Sequence, residues 1–282
     1  MPLTLQDVLA HQTAVPWPEL YQVEQDLLLS LAMRAIFEDP FLARQVAMRG
    51  GTVLHKVHLA PAARYSEDID LVAVGDRPEN HIRKALMRVL RPVLGKEKSS
   101  VWAAVQLAVR NAAKPSRILR CIYKVQSVAE PVRELTVEVE ANVSERIPKL
   151  PLQHLPFEMT FRGERLHSTL VSYHLNEMLA TKMRAMFQRK QGRDLFDLYW
   201  ALTAPLASPV AVDDVVEAFQ HYMRSEDTHV PRAEFIAHLR SCLADKASFC
   251  SDTIPLLRRG VIYSPDEAGT FVEKQVLARL PA

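Results

Sequence analysis

Residues 135–143 constrain the fold more than any other stretch, because their apolar side chains fall on every second position. Leu135, Val137, Val139, Ala141 and Val143 alternate with Thr136, Glu138, Glu140, Asn142 and Ser144. Successive side chains of a strand point to opposite faces, so this pattern gives one apolar face and one acidic face. The chain must therefore build a sheet that covers a core on one side and carries Glu138 and Glu140 on the other. Helical spacing dominates elsewhere. Residues 23–37 place Leu27, Leu31 and Ala35 on one stripe with no interior Gly or Pro, and Asp39-Pro40 ends the run. A second short helix is expected to end at Gly50-Gly51. Ile69, Leu71, Val72 and Val74 form a short β-rich run behind Glu67 and Asp68, and residues 75–78 read as a turn. Residues 81–94 repeat apolar side chains at helical intervals, and 107–109 and 118–125 read as extended.

Pro148, Pro151 and Pro156 punctuate a stretch unsuited to a helix or a central strand, which places a lobe boundary there. Beyond it, residues 176–201, 213–222, 233–242 and 268–280 read as helices. The expected fold class is α+β, with an N-terminal lobe around a small mixed sheet at residues 1–150. A helical lobe at 151–282 is expected to close a cleft over it. A chain of 282 residues, 48% apolar with 8 glycines, has enough material for two such lobes.

Composition also excludes some classes. The first twelve residues carry no basic cluster, and the apolar run 27–33 is interrupted by Ser30 and stopped by Arg34. Neither a signal peptide nor a spanning helix is expected, which points to the cytoplasm and to no membrane partner. Cys121, Cys242 and Cys250 lack CxxC or Cys/His spacing, which argues against a disulfide framework or a zinc site. Lys plus Arg number 35 against 33 Asp plus Glu, so a phosphate-binding surface must come from local clusters. Two clusters stand out: Arg110, Lys114, Arg117, Arg120 and Lys124, and Lys182, Arg184, Arg189, Lys190 and Arg193. Either also fits a solvated charged face.

The chemistry-bearing residues lie in the first lobe. Gly50 and Gly51 let backbone N–H groups approach phosphate oxygens, and the Thr52 hydroxyl can donate to one more. Asp68 and Asp70, two apart on an extended segment, point to one side and can share a divalent cation. Alone, the glycines read as a helix C-cap and the aspartates as an acidic turn. Their occurrence in order, with Glu138 and Glu140 on a later strand, favours a metal and triphosphate site.

The segments "RGGTVLHKVHL" (49–59) and "RYSEDIDLV" (64–72) resemble the AbiEii/MenT family of nucleotidyltransferase toxins, which share the polymerase-beta-like nucleotidyltransferase fold. The likeness extends through residues 22–40, "LTVEVEAN" (135–142) and "NEMLATKMRAMFQRKQGRDLFDLYWAL" (176–202), and weakly to 249–257. The spacer 53–67 is longer than is usual in the wider superfamily and is similar to the AbiEii pattern. The resemblance implies that Gly51 and Thr52 bind nucleotide and that Asp68 and Asp70 hold Mg²⁺. Lys56 falls on the lysine of a GGTxLxK signature, where it either reaches phosphate or is a surface lysine. Arg64 and Ser66 flank the acidic pair within reach of phosphate. Both strand glutamates qualify as a third metal ligand. The family pattern, with an acidic residue two before a small polar one, selects Glu140, and mutual repulsion should turn Glu138 to solvent or to a cation such as Arg133.

In the second lobe the resemblance implies that Lys182, Arg193, Asp194 and Asp197 line the nucleotide site. On one continuous helix Lys182, Arg189, Arg193 and Asp197 would share a face, unless Gly192 breaks it or Arg193 and Asp197 form an i,i+4 ion pair. Phe187, Phe196 and Trp200 read as core. The family further implies an NTP co-substrate, an RNA acceptor (the tRNA acceptor end), growth arrest, phage defence and a neighbouring antitoxin. Two rivals remain: a kinase-like phosphotransferase on the same fold, and a catalytically silent RNA- or partner-binding module.

Overall fold

The computed structural model describes residues 3–105, 116–206 and 208–282. Its chain forms two compact units, the first holding Ser116–Pro148 and Leu152–Tyr173 together with the N-terminal segment up to Val105. That unit opens with α1 (Leu5–Gln12), started by a capping box between Thr4 and Asp7. Next comes α2 (Leu20–Glu38), in which Leu27, Leu28, Leu29, Ala32, Met33 and Ile36 are all buried. A helix apolar on most sides has to be a core helix. The chain continues through α3 (Leu42–Gln45), β1 (Val46–Arg49), α4 (Gly50–Val53) and a π-helical turn (Leu54–His58), then β2 (Asp68–Ala73) and α5 (Glu79–Leu94). Strands β3 (Ser99–Val105), β4 (Ser116–Gln126), β5 (Glu134–Asn142), β6 (Gln153–Phe161) and β7 (Glu164–Ser172) complete it.

The strands form one mixed sheet in the order β3-β4-β5-β2-β1-β7-β6. β2 runs parallel to β5 and β1 parallel to β7, and the other neighbours are antiparallel. The mixed α/β architecture agrees with the sequence, with three differences. Residues 46–49, expected as the tail of a helix, form a central strand in which Val46, Ala47 and Met48 are fully buried. A strand covered on both faces has no alternation to betray it. The glycine pair therefore begins a helix rather than ending one.

The proline-marked stretch holds the second difference. β6 and β7 form a hairpin whose two-residue turn, Arg162-Gly163, has φ of 52° and 82°, the twist such tight turns require. β7 joins β1 at Met48–Ser172, and Tyr173 donates its N–H to the Met48 carbonyl at 2.9 Å. The first unit thus runs to Tyr173, beyond the division at residue 150 expected from the prolines. Pro156 is accommodated because β6 is the outermost strand. Residues 107–109, expected to be extended, lie outside the described residues.

The second unit includes Lys149–Pro151 and His174–Ala282. It consists of α6 (Leu175–Gln188), α7 (Gly192–Thr203), α8 (Val212–Ser225), α9 (Arg232–Ala244), α10 (Lys246–Phe249) and α11 (Pro265–Gln275). The helix expected over 176–201 is two helices, broken at residues 189–191, and this is the third difference. Gly192 opens α7 under the Phe249 carbonyl, where a Cβ would meet that oxygen at 2.6 Å. Among the described residues no helix is long and apolar enough to cross a membrane.

One buried carboxylate ties the second unit together. Glu177 accepts the N–H groups of Lys149 (2.6 Å) and Leu150 (2.8 Å) and the Tyr222 hydroxyl (2.5 Å). Replacing it by alanine removes the acceptor of one buried hydroxyl and two half-buried backbone N–H groups, each bond to the carboxylate worth roughly 1–3 kcal/mol. Glu177→Ala should lower unfolding free energy by about 3 kcal/mol or more in urea titration, and an unshifted midpoint would contradict this anchoring role.

Candidate active site

The alternation of β5 delivers its acidic face to a defined place. Parallel pairing sets Asp68 opposite Glu138 and Asp70 opposite Glu140, while Ile69, Val137 and Val139 go to the buried face. On the far side of β5, antiparallel β4 places Arg120 opposite Glu140. Arg120 Nε lies 2.5 Å from Glu140 Oε1 and 3.5 Å from Glu138 Oε2. Four carboxylates and one guanidinium thus share a patch three strands wide.

Burial, reinforced by crowding of like charge, shifts the ionisation of Asp68 and Glu140. Burial, then Asp70 and Glu138, push the Asp68 carboxyl up to about 7. Glu140 is also raised, by burial and Asp70, against the opposing pull of Arg120. Among the described residues, no three acidic, histidine or cysteine side chains make a ready-made cation cage. Glu140 is instead drawn onto Arg120. Glu138, expected to face solvent or to pair with a cation such as Arg133, lies 3.5 Å from the same Arg120. Arg133 precedes β5, pairs with Glu130 at 2.8 Å and lies over the Tyr21 ring at 3.8 Å. Its register puts Arg120, not Arg133, across from the acidic face. An open cavity of about 310 Å³ flanks Asp68, lined by Tyr21, Gln25, Glu67, Arg133, Thr136 and Glu138 among others.

The glycines sit against the acidic pair. Gly50 has φ +84°, and a Cβ there would lie 1.9 Å from Asp70 Oδ2. A Cβ on Gly51 would lie 2.6 Å from the Arg64 guanidinium and 3.0 Å from Ser66 Oγ. Helix α4 can start beside the carboxylates only because both residues lack side chains, and its first-turn N–H groups have no partner within the helix. The Thr52 hydroxyl, expected to donate to phosphate, is buried; it donates to the Asp68 carbonyl and lies 2.9 Å from Ser66 Oγ. It locks the helix start to the head of β2. Arg49, just before the glycines, pairs with Glu145 at 2.5 Å.

Lys56 does not face the acidic patch as a free cation. Its Nζ lies 2.6 Å from Asp26 Oδ2, and the same carboxylate meets His11 Nε2 and the Trp17 indole N–H, each at 2.8 Å. Burial opposes ionisation of Asp26, yet Lys56 and His11 hold it well below the usual carboxylate range. Sequence reading missed this network because its members, at 11, 17, 26 and 56, meet only in the folded core.

In the second unit, Lys182 lies 3.3 Å from Asp194 and 2.9 Å from Asp197, with both aspartates fully buried. Burial raises Asp194, but Lys182 and Arg189 outweigh it and hold the group low; Arg189 Nε is 2.9 Å away. Arg193 does not pair with Asp197 as considered from spacing. It contacts Gln191 and lies 3.6 Å from Asp252. Of the three aromatics expected in the core, Phe196 is buried, whereas Trp200, stacked on it, and Phe187, packed against Phe235, are half-buried.

The first basic cluster is not an open stripe of cations. Arg117 pairs with Glu79 at 3.0 Å, Lys124 with Glu134 at 2.8 Å and Arg120 with Glu140. Arg110 and Lys114 lie outside the described residues. The role of Arg120 was legible only from register.

Two outcomes follow from this geometry. Gly50→Ala forces a Cβ into Asp70 at a positive φ, so it should cost about 1–3 kcal/mol in unfolding free energy and displace Asp70; a variant with wild-type stability would mean the turn relaxes freely. The Asp68 carboxyl is raised in the fold above its ordinary value of 3.8. The folded state therefore holds a proton that the unfolded state has lost between about pH 4 and 7, and cation-free stability should fall as pH rises through that window. Asp68→Asn should flatten this slope, and an identical slope in both proteins would place the strain elsewhere.

The family model "Nucleotidyl transferase AbiEii toxin, Type IV TA system" matches residues 31–260. The chain is similar in structure to MenT4, the nucleotidyltransferase toxin Rv2826c of Mycobacterium tuberculosis H37Rv. That match has a TM-score of 0.62 and 19% identity, covering 100% of this chain and 91% of that one. An antigenic nucleotidyltransferase-like protein from Paracoccidioides brasiliensis aligns at 17% identity over 78% of this chain and 92% of its own, with a TM-score of 0.38. No curated protein matches the chain in sequence. With four-fifths of its length under the family model and the glycine turn set against paired aspartates, the chain belongs to the AbiEii family of nucleotidyltransferase toxins.

Proposed function

We propose that this nucleotidyltransferase transfers a nucleoside monophosphate from an NTP to a hydroxyl at the acceptor end of tRNA. Translation is thereby blocked, and the protein acts as the toxin of a cytoplasmic pair restrained by a neighbouring antitoxin. The observation that supports this best is the β2–β5 register, which sets Asp68 and Asp70 beside Glu138 and Glu140. The donor set fits Mg²⁺: it consists of hard carboxylate oxygens, and burial together with the neighbouring carboxylates pushes the Asp68 carboxyl up to about 7. When bound, such an ion neutralises the triphosphate and polarises its α-phosphate.

In this reading Asp68, Asp70 and Glu140 hold the metal. Gly50 and Gly51 admit the phosphates close to the start of α4, with Ser66 beside them. Lys182, with Arg193, Asp194 and Asp197, serves the nucleotide as the sequence motif implies. The acceptor hydroxyl attacks the α-phosphorus, a new P–O bond forms, and pyrophosphate leaves.

The test is incubation with each α-labelled NTP, Mg²⁺ and total cellular RNA. Label should appear in a band of tRNA size with release of pyrophosphate. Transfer of γ-label with release of NDP would replace this reading by phosphoryl transfer. Asp68→Asn and Asp70→Asn should each abolish labelling. Glu140→Gln should lose most of it and Glu138→Gln should stay within a few fold of wild type; the reverse ranking would move the third ligand to Glu138. Lys182→Ala should raise KM for NTP, and unchanged kinetics would remove it from the nucleotide site.

A further inference from the structure

Arg120 lies in the acidic patch, yet neither the sequence motif nor the proposed transfer reaction employs it. Three features single it out. Its Nε is in direct contact with Glu140 and lies 3.5 Å from Glu138, so one guanidinium answers both of these glutamates. Its side chain is 42% exposed, so it can swing into solvent without breaking the core. The neighbouring cations Arg117 and Lys124 are engaged by Glu79 and Glu134, outside the patch.

We infer that Arg120 is a built-in competitor of the divalent cation: it occupies Glu140 until the cation displaces it, and so sets the cation concentration at which the third carboxylate becomes a ligand. The inference rests on the reading that Asp68, Asp70 and Glu140 hold the ion. A carboxylate oxygen gripped at 2.5 Å by a guanidinium cannot at the same time present that lone pair to Mg²⁺. A guanidinium left in place would also repel the incoming charge, and in a half-exposed site that repulsion amounts to roughly a three- to tenfold loss of affinity. In exchange, Arg120 keeps four clustered carboxylates tolerable when no cation is bound. Once displaced, its planar fork is free for phosphate oxygens at the border of the patch.

The experiment is Mn²⁺ binding to the full-length chain without nucleotide, read by electron paramagnetic resonance of the free ion. Arg120→Gln should bind Mn²⁺ roughly three- to tenfold more tightly than wild type. Arg120→Lys, which keeps the charge, should stay close to wild type. Its metal-free thermal midpoint should also exceed that of Arg120→Gln, with Mn²⁺ closing the gap. In a Glu140→Gln background the Arg120→Gln gain should shrink. Equal or weaker Mn²⁺ binding by Arg120→Gln overturns the inference while leaving the metal site intact. Absence of Mn²⁺ binding in wild type and variant alike overturns both the inference and the metal assignment of the proposed function.

Discussion

Parallel pairing of β2 with β5 sets the position of every other charged group in the first unit's site. It aligns two Asp-x-Asp and Glu-x-Glu faces residue for residue, so that four carboxylates face one side of two adjacent strands. Such an arrangement opposes folding unless other charge answers it. The apolar residues between them, Ile69, Leu71, Val137 and Val139, are buried on the opposite face and hold the register fixed. A slip of one residue would put the carboxylates in the core. Arg120 on β4 answers the repulsion from one side, and the proposed metal would answer it from the front.

The surroundings of the pair are fitted to this tension. α4 can approach Asp70 only because Gly50 lacks a side chain, and Thr52 ties that helix to the carbonyl of Asp68. The same short segment therefore fixes the backbone of both elements, which makes Thr52 a fastener of the site and not an exposed ligand. Behind it, Asp26 gathers Lys56, His11 and Trp17 into a buried network and so clamps the π-helical turn that follows α4 against α2. A buried pair of this kind contributes less to net stability than to fixing one arrangement, since each charge would be costly alone.

The second unit repeats this use of buried charge around Lys182, whose two aspartate partners are fully enclosed. α6 and α7 could not meet in this way as one continuous helix. The break at residues 189–191 folds Asp194 and Asp197 back on Lys182. Gly192 permits the fold by letting the Phe249 carbonyl come close.

The sequence by itself determined the acidic strand, its core face, the carboxylate pair of β2 and the mixed helical and sheet architecture, because period-two and period-3.6 patterns are local and one-dimensional. The glycine turn was legible as a close-approach site, but not as a helix start, since β1 before it is buried on both faces and shows no period. Likewise the β6–β7 hairpin hid behind prolines that an outer strand tolerates, a fact that depends on strand order. Which cation each carboxylate meets was decided by tertiary structure alone. Arg120 reaches Glu140 through the β4–β5 register, Lys56 reaches Asp26 across thirty residues of chain, and Lys182 reaches Asp197 across a helix break. Charge pairing acts through space over a few ångströms, and residue spacing encodes such distances only within a single regular element.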